Sequence, residues 1–386
     1  MHVAQTLQGV ARLGFDAVEG VTNIAEGMFR NIAAFPLPLG SEAEGRAPGI
    51  AGLVYKSIRQ VNRAVRQGVD PALELAKRHL DYEAADSIAS LSLISALNGV
   101  IGDHLERSDN PLAIKMEMIS NATTPGPDLL IMLHGLAMHY SFFDSKGHNH
   151  GEAIAATHGF TPVYVHYNSG LHVSINGREF ADQLEQLVDE WPVPVRSIRF
   201  FGYSMGGLLV RSGLHAAAEK GQRWPGLTRQ VVYMATPHHG SALERGGNWF
   251  TSAIKVSPYS APLAALAMVR SAGITDLRYG NVVDEDWQNQ DRFEHHDDHR
   301  KHTPLTKNIE HFAIAASFVA DEDDMLKRPR GDGLISPCSA LGDHKDPKRD
   351  LGIPENKRLL VTGTGHLELL SHPKVFDRLI EWLAPT

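Results

Sequence analysis

The sequence predicts an α/β protein with a doubly wound, mostly parallel sheet, a helical cap insertion and a helical N-terminal extension. Three observations predict it. After Pro111, short apolar runs alternate with segments of helical periodicity, the pattern of βαβ units. Before about residue 110 only helical periodicity is found. The connection from Pro237 to Glu310 is too long for a plain loop and carries apolar residues at partly helical spacing.

In chain order, apolar residues from Val3 to Ile32 recur at spacings of three and four, which predicts one amphipathic helix or two. Pro36, Pro38 and Gly40 end that stretch. Leu53 to Val65 predicts a further helix, closed by Gly68 and Pro71, and Ala72–Leu80 and Ala84–Val100 read as two more. Residues 1–110 are therefore assigned to the N-terminal extension and 111–386 to the α/β domain. In that domain Leu112–Ile119, Leu129–Leu133, Pro162–Val165, Ile198–Phe201, Val231–Met234, Phe312–Ala315 and Arg358–Val361 read as strands. His150–His158, Gly177–Glu190, Gly206–Lys220 and Val375–Leu383 read as the helices between and after them. The cap is placed at about residues 240–310, with Trp249 and Phe250 as candidate pocket residues.

Composition sets limits on function. The chain has 386 residues, 42% of them hydrophobic, which is ample for a core. Its formal net charge is -8, and no basic face suggests a nucleic-acid partner. The single cysteine, Cys338, excludes a disulfide within the chain and a zinc site of several thiolates; it is read as a small apolar residue. Gln5, Gln8, Arg12, Asp16 and Glu19 interrupt the apolar stretch at the N-terminus, which reads neither as a signal peptide nor as a membrane span. A cytoplasmic protein is expected. The N-terminal stripe could pack on the protein body, pair with a second copy or lie on a membrane. Glycines within it and a polar side poor in Lys and Arg favour packing on protein.

The chemistry is carried by Gly202-Tyr203-Ser204-Met205-Gly206. This Gly-x-Ser-x-Gly follows an apolar strand and precedes a helix, which is the context of a nucleophile elbow. A serine hydroxyl is a poor nucleophile at neutral pH and needs a base that an acid orients. His366, in Gly365-His366-Leu367 after the last strand, is the expected base, and His372 before Pro373 reads as a helix-entry residue. Asp332, in Gly331-Asp332-Gly333, is the expected acid, ahead of Asp323, Asp324 and Asp343. The backbone N–H groups of Met205 and Leu136 are the expected oxyanion donors, with Leu136 placed after His134-Gly135. His134 should brace that loop. Tyr203, His134 and His238 are further pocket candidates. A general base must be unprotonated, so activity is expected to fall in acid.

His134-Gly135, the serine elbow, Thr236-Pro237-His238-His239-Gly240-Ser241, Asp332-Gly333 and Gly365-His366 stand in the order seen in bacterial lipases and esterases. Over about Pro111 to Pro385 the chain resembles the α/β-hydrolase superfamily, including its inositol-deacylase-like branch. The resemblance implies an acyl-enzyme mechanism on small-molecule or lipid esters with an apolar acyl chain, and no cofactor. Two rivals keep the same residues: an acyltransferase, or a protein of lipid or polymer surfaces with a vestigial triad. The His-rich run Glu294–His302 and the pair His148 and His150 offer metal-ligand types without repeated ligand spacing. They are read as solvated loops, and no metal is assigned.

Overall fold

The structure, a computed structural model, describes residues 88–241, 270–291, 298–319 and 331–384, with Gly9, Arg12, Leu13 and Asp16 of the N-terminal segment. The four N-terminal residues are helical, within the first expected helix. The helices expected over 53–80 lie outside the described residues, as do Trp249 and Phe250. Contacts divide the chain into two units: Met1–Ser90 with Arg107–Leu112, and Leu91–Glu106 with Ala113–Thr386. In the smaller unit Asn110 donates to the Gly9 carbonyl at 3.1 Å and Arg12 to the Asp109 carbonyl at 2.9 Å.

The larger unit is built on seven strands: β1 (Glu117–Ile119), β2 (Asp128–Leu133), β3 (Thr161–His166), β4 (Ser197–Tyr203), β5 (Thr228–Met234), β6 (Glu310–Ser317) and β7 (Arg358–Thr362). The sheet order is β1-β3-β2-β4-β5-β6-β7. Only β1 runs antiparallel, against β3; the other pairs are parallel. Parallel pairing brings the carboxyl ends of β2 to β7 to one edge. The chain leaves β2 for β3, then crosses back over β2 to β4. That reversal is a topological switch point, where open α/β sheets bind ligands, and the β2 and β4 loops flank it.

Both faces of the sheet are covered, which explains why β3 and β4 are buried along their whole length. The helices are α1 (Ile88–Arg107), α2 (His150–His158), α3 (Val173–Glu190), α4 (Met205–Lys220) and α5 (Pro373–Trp382). Phe200 and Phe201, neighbours on β4, point to opposite faces. Phe200 meets Phe180 of α3 and Trp224 at ring separations of 6.0 and 5.6 Å. Phe201 meets Phe143 at 6.0 Å and His150 of α2 at 6.4 Å, in the cluster that also holds Leu379 and Trp382 of α5. Full burial of each such ring contributes about 1.5–3 kcal/mol.

The strand expected over Leu112–Ile119 is shorter than its apolar pattern suggests. Side-chain amides capture the backbone first: Asn110 accepts from Leu112 N at 2.9 Å, and Asn98 accepts from Ile114 N at 3.0 Å. Pairing begins only at Glu117. α1 runs further than expected, and it breaks at Ile101, whose φ and ψ of -135° and 22° are not helical. Gly99 and Gly102 flank the break and let other loops approach. Asn168 donates to the Gly102 carbonyl at 3.0 Å, and Ser271 donates to the Gly99 carbonyl at 2.6 Å. Of the expected cap, the described part contains the short helix Ala272–Asp276. Cys338, read as apolar, is exposed in the short helix Pro337–Leu341. Among the described residues no helix is long and apolar enough to cross a membrane.

Candidate active site

Ser204 stands between β4 and α4 with φ 52° and ψ -121°. A non-glycine residue there carries about 1–3 kcal/mol of backbone strain. Two hydrogen bonds hold it: Ser204 N donates to Met234 O at 2.8 Å, and Gly207 N donates to Ser204 O at 3.1 Å. The flanking glycines act by size. A Cβ on Gly202 would meet Gly207 Cα at 2.6 Å, and one on Gly206 would collide with the Leu133 carbonyl. Gly135 is set close to Ser204, where a Cβ would lie 3.1 Å from Ser204 Cβ.

Asp332 and His366 follow β6 and β7. His366 Nδ1 donates to Asp332 Oδ2 at 2.6 Å, and both side chains are buried. The other oxygen, Oδ1, accepts from Leu334 N at 2.9 Å and Ile335 N at 2.8 Å. The carboxylate therefore shapes its own turn while it faces the imidazole. His366 N also donates to Asp332 O at 3.1 Å, so the two loops are tied by backbone as well. With its proton on Nδ1, the neutral ring carries its lone pair on Nε2, the atom a general base needs. Glu368 accepts from Gly365 N at 2.8 Å and fixes the preceding turn.

Tyr203 links the elbow to the histidine loop. Its ring lies 5.0 Å from the imidazole, and its hydroxyl donates to the His366 carbonyl at 3.0 Å. Burial, with the Asp332 charge, holds the phenol pKa well above its ordinary value, so the hydroxyl stays a donor. Ser204 and His366 thus share the carboxyl edge. The His366 imidazole bonds to Asp332, and no hydrogen bond among the described residues joins it to the Ser204 hydroxyl.

The backbone N–H groups of Leu136 and Met205 have no acceptor among the described residues. Their loop is braced from three sides. Buried His134 donates from Nδ1 to Gly135 O at 2.9 Å and stacks on Tyr167 at 4.4 Å. Tyr167 donates to His134 O at 2.8 Å. Ala137, with φ 59°, donates its N–H to Ser169 Oγ at 2.9 Å. Nothing in sequence spacing signals Ser169, because it meets the loop only through the fold.

The other histidines go elsewhere. His372 caps α5 by accepting from Lys374 N, as expected of a helix-entry residue. His150 bonds to Leu369 O at 2.9 Å and to His148 at the same distance. His238 is buried against Arg211, at 3.3 Å, rather than beside the dyad. Asp298 pairs with Arg300 at 2.9 Å and Arg349 at 2.6 Å; His295 and His296 lie outside the described residues. Among the described residues no group of three or more metal-ligand side chains is found. One apolar feature escaped sequence reading. Phe318 is 58% exposed, and its ring lies where a Cβ on Gly333 or Gly365 would be, at 2.8 and 2.7 Å.

The mostly parallel sheet with helices on both faces and the strand–Ser–helix turn after β4 are those of the α/β-hydrolase fold; Asp332 follows β6 and His366 follows β7. Neither a protein-family model nor a curated protein sequence matches the chain. Solved structures similar to it include a mature lipase of Bacillus licheniformis, at 16% identity and TM-score 0.45, covering 70% of this chain and 98% of that one. A hyperthermophilic esterase of Pyrobaculum calidifontis is similar at 13% identity and TM-score 0.40, covering 79% and 92%. A lipase-esterase related protein of Clostridium acetobutylicum is similar at 14% identity and TM-score 0.36, covering 70% and 98%.

Proposed function

We propose that the protein hydrolyses carboxylic esters with an apolar acyl chain through Ser204, His366 and Asp332. The observation that carries this reading is the 2.6 Å bond from His366 Nδ1 to Asp332 on the edge where the strained Ser204 elbow opens. His366 Nε2 takes the Ser204 proton as Oγ attacks the ester carbonyl. Asp332 stabilises the imidazolium that forms. The N–H groups of Leu136 and Met205 bind the oxyanion, and loss of one such donor typically costs roughly 3–4 kcal/mol of transition-state stabilisation. The tetrahedral intermediate collapses, and His366 protonates the leaving alcohol. Water then attacks the acyl-enzyme by the same route and releases the acid and Ser204. The exposed Phe318 ring beside both catalytic turns supports an apolar acyl group.

The test is labelling of the folded protein by a fluorophosphonate probe, with rates on p-nitrophenyl esters of increasing chain length. Labelling that disappears in Ser204→Ala, with kcat/KM rising beyond the acetate, is expected. A folded wild-type protein that takes no label overturns the serine mechanism. Rates that fall steadily with chain length overturn the apolar acyl preference alone.

A further inference from the structure

A second concentration of buried polar groups surrounds Arg211. Arg211 sits on α4, about two turns beyond Ser204. It is buried, and no described carboxylate pairs with it. One terminal nitrogen donates to the Thr303 carbonyl at 2.7 Å and the other to His238 Nδ1 at 3.3 Å. Arginine only donates, so His238 Nδ1 is the acceptor and the ring proton sits on Nε2. Burial, with the adjacent guanidinium, holds the pKa of His238 well below its usual value, and the ring stays neutral. Among the described residues His238 Nε2–H is then a buried donor without a partner. Arg211 Nε–H and the Thr303 hydroxyl are in the same state.

All three residues line one cavity of about 30 Å³. Arg300, Lys301 and Arg349 also wall it, and Asp286 is the one carboxylate among its described walls. Asp298 sits between Arg300 and Arg349, and Glu285 pairs with Lys301 at 2.6 Å. Asp346 also lies 4.0 Å from Arg349. Arg300, Lys301 and Arg349 thus each have a carboxylate partner, and among the described residues Arg211 has none. Asp286 is already occupied by the N–H groups of Val282, Val283 and Lys301. A buried charge without compensation is strongly destabilising, as is a buried donor without an acceptor. A ligand that only accepts and carries one negative charge meets both needs. Water meets the donors and leaves the charge. A water needs about 10–15 Å³, so the space admits a particle of water or halide size.

We propose that this cavity binds one monovalent anion of halide size, held by Arg211 Nε, His238 Nε2 and Thr303 Oγ1. The ion joins α4, the loop after β5 and the segment that returns from the insertion.

Bromide is the probe, on the full-length protein. Crystals grown in sodium bromide should give an anomalous peak in hydrogen-bond contact with Arg211 and Thr303. In solution the unfolding midpoint in sodium chloride should exceed that in sodium gluconate at equal ionic strength. It should rise by about 2 °C per tenfold chloride above the dissociation constant. Thr303→Val, nearly isosteric and still charged at Arg211, should raise the chloride concentration needed by roughly tenfold. Arg211→Met should abolish the dependence. No bromide peak, with water at that position, overturns the proposal. So does a chloride effect that is absent, or that Thr303→Val leaves unchanged.

Discussion

The carboxylate of Asp332 does two things with two oxygens, and this makes the substitution Asp332→Asn informative. Oδ1 accepts from the Leu334 and Ile335 N–H groups, and Oδ2 accepts the hydrogen bond from His366 Nδ1. An asparagine placed with its carbonyl oxygen toward the turn would present NH2 to the imidazole. That favours the tautomer with the proton on Nε2, which cannot accept from Ser204. We expect folded protein with kcat lowered about 10⁴-fold, by analogy with the same change in a serine-protease triad. Near-normal turnover on a p-nitrophenyl ester would move the acid role elsewhere. Residues of this kind are legible in sequence because their neighbours are constrained. Only glycine fits at positions 202 and 206, two residues to either side of Ser204, and Asp332 is marked by the glycines next to it. Ser169 and the Tyr203 hydroxyl leave no such mark. Their partners, Ala137 and His366, stand far from them along the chain. His238 was misplaced for a related reason. A histidine after a strand points to the carboxyl edge, but the strand pattern does not say that a buried arginine will claim its ring.

At the scale of elements, the apolar runs located β2 to β7 well, since strands covered on both faces must be apolar throughout. The same rule misread Leu112 to Met116, where Asn98 and Asn110 supply the hydrogen bonds that a strand neighbour would have given. A pattern of apolar residues records burial and does not record which group satisfies the backbone. The elbow gives a sharper expectation. Gly202→Ala puts a methyl group 2.6 Å from Gly207 Cα, between backbone atoms of β4 and α4 that cannot swing aside. It should destabilise the protein by roughly 1–3 kcal/mol as overpacking and displace α4 relative to the strand. Urea midpoints and probe labelling would both fall. A variant as stable as wild type would show that the elbow is not held by that approach.

Across the whole molecule, stability should depend on acid through buried neutral histidines. Burial pushes His150, His166 and His311 down to about 4, and His134 well below its ordinary value. In the unfolded chain a histidine titrates near about 6.5. As pH falls from about 6.5 to 4, the unfolded chain takes up these protons first, and the native state loses ground. Each such group contributes a loss of about 1.4 kcal/mol per pH unit in that window and nothing further above it. The ion-paired Asp298, held well below the usual carboxylate range by Arg300 and Arg349 against its burial, loses its charge only in stronger acid. Urea midpoints should therefore be level from pH 8 to 7 and drop steeply between pH 6 and 5. A level midpoint down to pH 5 would contradict the burial of these rings.

The break in α1 has a practical consequence for anyone trimming the gene. Gly99 lies against Ala137, whose N–H is held by Ser169, and Asn168 of that same loop reaches the Gly102 carbonyl. A fragment begun at Pro111, where the strand pattern sets in, would discard the prop beneath the loop that carries Leu136. Such a fragment should express poorly or turn over ester far more slowly than one begun before Leu91. Supplying residues 88–107 as a separate peptide should restore part of the rate.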